Sequence, residues 1–175
     1  MGHTYPRQLN LLNMSAKILF ISDLHLGHYN MAIRRGFENA EEMNQHIIKS
    51  WNSVVNKKDT VYILGDITME KAADYPLLNQ LLGFKKVVLG NHDKAQHIPQ
   101  LLKYVNSVAG MVKFGSPYGN IFLTHCPIHP SELEFGVKYN IHGHVHENTI
   151  DDIRYKNVSC ENIDYKPKSL EELLG

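Results

Sequence analysis

Side chains that hold divalent metal ions recur in five short segments of this chain: Asp23-Leu24-His25, Gly65-Asp66, Gly90-Asn91-His92-Asp93, His125 and Gly143-His144-Val145-His146. Among them, four histidines, two aspartates and one asparagine amide make a ligand set for two adjacent ions. Carboxylate oxygen with neutral imidazole nitrogen suits borderline ions such as manganese, iron, cobalt, nickel or zinc, whereas calcium and magnesium prefer nearly all-oxygen shells. If one carboxylate is shared, each ion receives four protein contacts and keeps positions open for water and substrate. Structural sites are closed, so open positions argue for catalysis. Two ions about 3.5–4 Å apart clamp the attacking and leaving oxygens of a phosphoryl displacement.

These groups lie far apart in sequence, so the fold must gather them. Four segments follow apolar runs, Ile18–Ile21, Val61–Leu64, Val87–Leu89 and Ile121–Leu123, and a weaker run, Tyr139–Ile141, precedes the fifth. Short β-branched-rich runs ended by Gly, Asp or Asn read as buried strands. In sheets covered by helices, sites form beyond the carboxyl ends of the strands. Met43, Ile47, Ile48, Trp51, Val54 and Val55 recur at helical spacing, predicting a helix over 41–55 capped by Asn39. A second helix is expected at about 75–82, with Pro76 in its first turn and Gly83 ending it, and a third at about 95–105, interrupted by Pro99. Residues 153–155 and 157–159 alternate like edge strands. Ser169 with Glu172 three residues on predicts a capped terminal helix.

The five segments in this order resemble the calcineurin-like metallophosphoesterase family, whose pattern runs D-x-H, G-D, G-N-H-D/E, H, G-H-x-H; the match extends from Ile18 to His146. Within that family, the closing Asn157-Val158-Ser159 and the Asp23-to-Asn30 string are similar to small bacterial and phage phosphoesterases. The resemblance implies an α/β/β/α sandwich, two mixed sheets flanked by helices, and two divalent ions, with manganese the first expectation and iron, nickel, cobalt or zinc next. It implies that Asp23, His25 and His146 bind the first ion, that Asp66 bridges, and that Asn91, His125 and His144 complete the second. His92 is then the catalytic general acid, placed over the metals at the leaving oxygen.

The chain departs from the protein-phosphatase branch of that family, which has an acidic residue three positions after the Asp of G-D and an Arg close behind. Here Met69 stands at that position and no Arg follows. Either Glu70 or Asp93 is left to orient His92. His28, Asn30, Arg34 and His129 lie near enough to ligands in sequence to reach substrate or to support a ligand by hydrogen bond, and His142 is expected to hold the glycine loop or a ligand by hydrogen bond. Cys126 reads as a small buried residue. The pairs Lys57-Lys58 and Lys85-Lys86 read as solvated surface, as does Arg34-Arg35 unless it assists substrate anions.

With 175 residues and 43% hydrophobic content, the chain suits one well-buried domain, here 14–175, preceded by an extension or leader over 1–13. Basic and acidic residues balance at 18 each, which gives no global field toward nucleic acid or an anionic membrane. Two cysteines and no apolar run long enough for a signal peptide or span lead to the expectation of a reduced, cytoplasmic protein. A small phosphate ester is the expected partner; oligomeric state is not legible. The function expected is hydrolysis of a phosphodiester in a small molecule or nucleotide. The alternatives are phosphomonoester or phosphoprotein hydrolysis and, with every ligand type retained, a remote non-catalytic scaffold.

Overall fold

The computed structural model describes residues 15–175, so the reading of 1–13 as a leader lies outside the described residues. Two sheets face each other. The first runs β4-β3-β2-β1-β9, built from β1 (Ile18–Ile21), β2 (Thr60–Ile63), β3 (Phe84–Val88), β4 (Ser107–Ala109) and β9 (Lys168–Ser169). Its first four strands are parallel, and β9 runs antiparallel to β1. The second runs β5-β6-β7-β8, with β5 (Val112–Ser116), β6 (Gly119–Leu123), β7 (Val137–His142) and β8 (Tyr155–Asn157); β5 is antiparallel to β6 and the other pairs are parallel. Flanking helices complete the α/β sandwich expected.

Alternation explains the packing. Phe20 and Tyr62 point from the first sheet and meet Phe114 of β5 at 5.8 Å each, so the two sheets share one apolar interior. On the helical side, α2 (Ala40–Asn52) buries Met43, Ile47, Ile48 and Trp51. Asn39 caps it by accepting the Glu42 amide at 2.9 Å, and the Trp51 indole donates to the Leu82 carbonyl at 2.9 Å. Fully burying such side chains contributes about 1.5–3 kcal/mol each.

Several segments differ from expectation. The second helix forms as a 3-10 helix over Ala72–Gln80. Starting at Ala72 moves Pro76 out of the first turn to where an α-helix would need its N–H. The third is shorter: a 3-10 turn at Ala95–His97 leads into α3 (Ile98–Leu101), and Pro99 stands in the first turn of α3, opening it rather than interrupting it. Ile153 is exposed in a turn, leaving β8 as Tyr155–Asn157. The terminal helix α4 (Leu170–Leu174) carries the full Ser169–Glu172 capping box. Helix α1 (Tyr29–Arg34) gave no signal in the sequence because His28 precedes it without a side-chain cap bond.

β1, β2 and β3 pair in register, Ile21 beside Ile63 and Ile63 beside Val87, so their carboxyl ends finish level. A seam then joins the sheets at that end. The Ser22 amide donates to the Val158 carbonyl at 2.8 Å and the Cys160 amide returns to Ser22 at 3.2 Å. The five polar segments follow the carboxyl ends of β1, β2, β3, β6 and β7.

Candidate metal centre

The loop after β1 is zipped to the loop after β2: the Asp23 amide donates to the Gly65 carbonyl at 3.1 Å and the His25 amide to Asp66 at 3.0 Å. Asp23, His25, Asp66, His144 and His146 all take left-handed backbone angles, with φ between 48° and 71°. Such residues cost about 1–2 kcal/mol each, and Asp and His are among the few that accept the conformation. Their concentration at one spot marks a site whose surroundings enforce the strain.

Glycines permit the close approach. A Cβ on Gly90 would strike the Asp66 carboxylate, and one on Gly143 would strike Ser22 Oγ and Asp23 Oδ2.

Two donor groups result. Asp23, His25 and His146 present ligand atoms within 4.8 Å of one another, and Asp23, Asp66 and His125 do likewise. Asn91 Oδ1 lies 2.9 Å from His125 Nε2 and 3.0 Å from His144 Nδ1, and those two nitrogens are 3.2 Å apart. Asp66 Oδ2 of the second group lies 3.8 Å from His25 Nε2 of the first and 3.4 Å from His125 Nε2. Its other oxygen accepts the His92 amide at 3.0 Å.

The donors fit divalent ions on their own chemistry. Asp23 Oδ1 and both ring nitrogens of His25 are buried with no hydrogen-bond partner among the described residues, a costly arrangement in a folded protein unless an ion uses them. Burial lowers the His25 pKa to about 3, which keeps the imidazole neutral as a ligand must be. Asp23 Oδ2 is already engaged, by Ser159 Oγ at 2.9 Å and the His144 amide at 3.0 Å, which leaves Oδ1 free. Asp23, His25, Asp66 and His125 form a buried floor, and Asn91 and His144 are exposed, so the centre opens on that side.

The remaining candidates divide. His92 and His28 stand over the floor, each ring centroid 6.0 Å from that of His25. Glu70 Oε1 lies 3.4 Å from His92 Nδ1 and 2.9 Å from Lys94 Nζ. Asp93 does not orient His92: its carboxylate accepts the amides of Asp66, Ile67 and Gly90 and so ties two loops together. His129 turns to cap the 3-10 turn Pro130–Leu133, its Nδ1 2.9 Å from Ser131 Oγ. Arg34 is an exposed partner of Glu147 at 2.6 Å, and Asn30 is exposed on α1. His142 is fully buried and donates from Nδ1 to the Gly143 carbonyl at 2.9 Å, holding the glycine loop. Cys126 is exposed, not buried, because it follows β6 at the open end, with Sγ within 4.8 Å of the ligand nitrogens of His125 and His144.

Sequence reasoning missed Arg35 and Glu161. Arg35 reads as half of a surface pair, yet its side chain is 1% exposed and donates to the carbonyls of Asp23 and Leu24 at 2.7 and 3.2 Å. It also donates to Glu161 at 2.8 Å, and the same Glu161 oxygen lies 3.2 Å from His146 Nδ1. Arg35 closes helix α1 and Glu161 sits in the 3-10 turn Cys160–Ile163, both beyond the ligand motifs, so neither carried a signal in the sequence.

The profile of the calcineurin-like phosphoesterase superfamily domain matches residues 16–160. The chain belongs to that superfamily, and with it to the metal-dependent hydrolases of phosphate esters. An uncharacterized protein of Methanocaldococcus jannaschii is 38% identical over 167 residues, covering 89% of this chain and 88% of the relative. The gene 66 protein of Mycobacterium phage L5 is 33% identical over 157 residues, covering 73% and 76%. Among solved structures, a protein of unknown function from Aquifex aeolicus superposes with a TM-score of 0.74 at 28% identity, over 91% of this chain and 98% of that one. An archaeal phosphodiesterase shares the fold with a TM-score of 0.50 at 22% identity, over 84% and 86%. Among the described residues, no helix is long and apolar enough to cross a membrane.

Proposed function

We propose that the protein is a dinuclear phosphodiesterase acting on a small molecule or nucleotide, with manganese the first choice of ion and a reducing, cytoplasmic setting suited to its two free cysteines. The observation that carries the reading is the position of Asp66 Oδ2 between His25 Nε2 and His125 Nε2, where one carboxylate serves both donor groups. Asp23, His25 and His146 would hold one ion, Asn91, His125 and His144 the other. Held by these residues, divalent ions would supply charge neutralisation at phosphoryl oxygens and a water nucleophile at neutral pH.

The chain's own residues supply the rest. Glu70 Oε1, 3.4 Å from His92 Nδ1, can accept a hydrogen bond there and leaves the Nε2 edge of the ring free, its centroid 6.0 Å from that of His25. A proton on that edge can pass to the leaving oxygen as the ester bond breaks. Asn91 and His144 are exposed, so the centre opens on that side, which suits a diester with its second substituent. Met69 in place of an acidic residue weighs against the protein-phosphatase branch. The archaeal phosphodiesterase with this fold supports the same choice.

The test is hydrolysis of bis-p-nitrophenyl phosphate beside p-nitrophenyl phosphate, on metal-stripped protein with manganese, nickel, cobalt, zinc or magnesium restored singly. Metal-dependent cleavage favouring the diester is the expected result. Preference for the monoester would replace the proposal with a phosphatase, and failure to retain any ion would leave a scaffold.

A further inference from the structure

We infer that Glu161 and Arg35 are positioning residues that fix the tautomer and aim of His146, and through it the first of the two ion positions. The inference rests on the reading of Asp23, His25 and His146 as the holders of that ion.

The geometry centres on one atom. Glu161 Oε1 lies 2.8 Å from Arg35 Nε, 2.8 Å from Arg35 Nη2 and 3.2 Å from His146 Nδ1. A carboxylate can only accept, so in the neutral ring a hydrogen bond to His146 requires the proton on Nδ1 and leaves Nε2 with its lone pair free. Nε2 is therefore the ligand atom, and its direction is set from behind. Such a carboxylate also makes the imidazole a stronger donor to a metal.

Arg35 fixes Glu161 in turn. Its side chain is 1% exposed, and it spans from Glu161 to the carbonyls of Asp23 and Leu24, on the loop that carries two other donors of the same position. One guanidinium thus ties His146, after β7, to Asp23 and His25, after β1. A lysine could not reproduce this planar fork. The ring of His146 also stacks on that of His25, with centroids 5.4 Å apart and planes at 26°, so a turn of His146 would disturb both ligands. His144 lacks such a carboxylate; its Nδ1 faces Asn91 and His125 instead. The two positions therefore differ in what stands behind them, and loss of Glu161 should weaken one and spare the other.

The experiment is calorimetric titration of metal-stripped protein with manganese for the wild type, Glu161→Gln and the double variant Arg35→Met with Glu161→Leu. The double variant removes both charges together and leaves no buried guanidinium unpaired, so it keeps the test available if Glu161→Gln fails to fold. Long-range proton–nitrogen correlation spectra of the metal-free proteins report the His146 tautomer independently of activity. The expected result is a wild type with two binding events and the Nδ1–H tautomer. In both variants one event weakens about 10- to 100-fold, the other stays, and the tautomer becomes mixed. Wild-type affinity for both ions in the folded variants, or an unchanged tautomer, overturns the inference while leaving the proposed function intact. A wild type that binds no manganese overturns both.

Discussion

Asp93 accepts the main-chain amide of Asp66 at 2.9 Å through Oδ2, and the same oxygen accepts the amide of Gly90 at 2.9 Å. Asp93 Oδ1 takes the Ile67 amide at 3.2 Å. One carboxylate thus holds the loop after β2 against the loop after β3, placing Asp66 and Asn91 relative to each other. Asp93→Ala strands three amides around a buried position and is expected to cost about 3 kcal/mol or more. Urea unfolding of the metal-free protein measures this directly, and a loss below about 1 kcal/mol would show that the loops hold without the clamp.

His92→Asn keeps an amide in place of the ring but carries no transferable proton. Both ions should remain, while kcat falls roughly 10²- to 10⁴-fold. Glu70→Gln should give a smaller loss of the same kind, since Glu70 reaches the reaction only through His92. Metal analysis beside steady-state kinetics decides the matter: a variant of His92 that loses its ions has been assigned the wrong role.

The strands that end at ligands were legible because apolar runs halting at Gly, Asp or Asn leave little alternative, as Ile18–Ile21 before Asp23 shows. Helix α2 was legible for a similar reason: Asn39, two acidic residues and a helical stripe all agree. What could not be read were relations between distant segments. β4 and β5 are only partly buried, so neither carries a continuous apolar run. Arg35 and Glu161 are 126 positions apart; Arg35 alone reads as solvated surface, and Glu161 lies in no motif. Asp93 and His129 lie close to ligands in sequence, yet the carboxylate and the ring each accept backbone amides instead of entering the centre. The left-handed angles of Asp23, His25 and Asp66 were likewise invisible, because glycine was not the residue that adopted them.

Gly143 is where the glycine loop crosses the first ligand. An alanine Cβ there collides with Ser22 Oγ and Asp23 Oδ2, and it pushes on the oxygen held by Ser159 Oγ and the His144 amide. Gly143→Ala should lower stability by about 1–3 kcal/mol. It should also weaken manganese binding where Asp23 is a ligand. Thermal unfolding and calorimetry on the same sample check both, and an alanine variant indistinguishable from wild type in each would mean that the loop relaxes freely.

Asp59 provides a pH test well away from the centre. It is 2% exposed, and it accepts the Lys17 amide at 2.9 Å through Oδ1 and the Asn56 amide at 2.7 Å through Oδ2. Burial on its own would raise this carboxyl, but the two amides outweigh it and hold the pKa below the usual carboxylate value. A depressed folded pKa means that the unfolded chain binds the proton first as pH falls. The stabilisation is therefore complete above about pH 5 and is lost as pH drops below about 4 toward the folded pKa. Asp59→Asn keeps one acceptor and loses the other, at a cost of about 1–2 kcal/mol at pH 7. Urea unfolding from pH 7 down to about pH 3 should show a constant gap between wild type and variant at the neutral end and a narrowing one at the acid end. A gap that stays constant to the acid limit would mean that charge on Asp59 contributes nothing beyond the shape of its side chain.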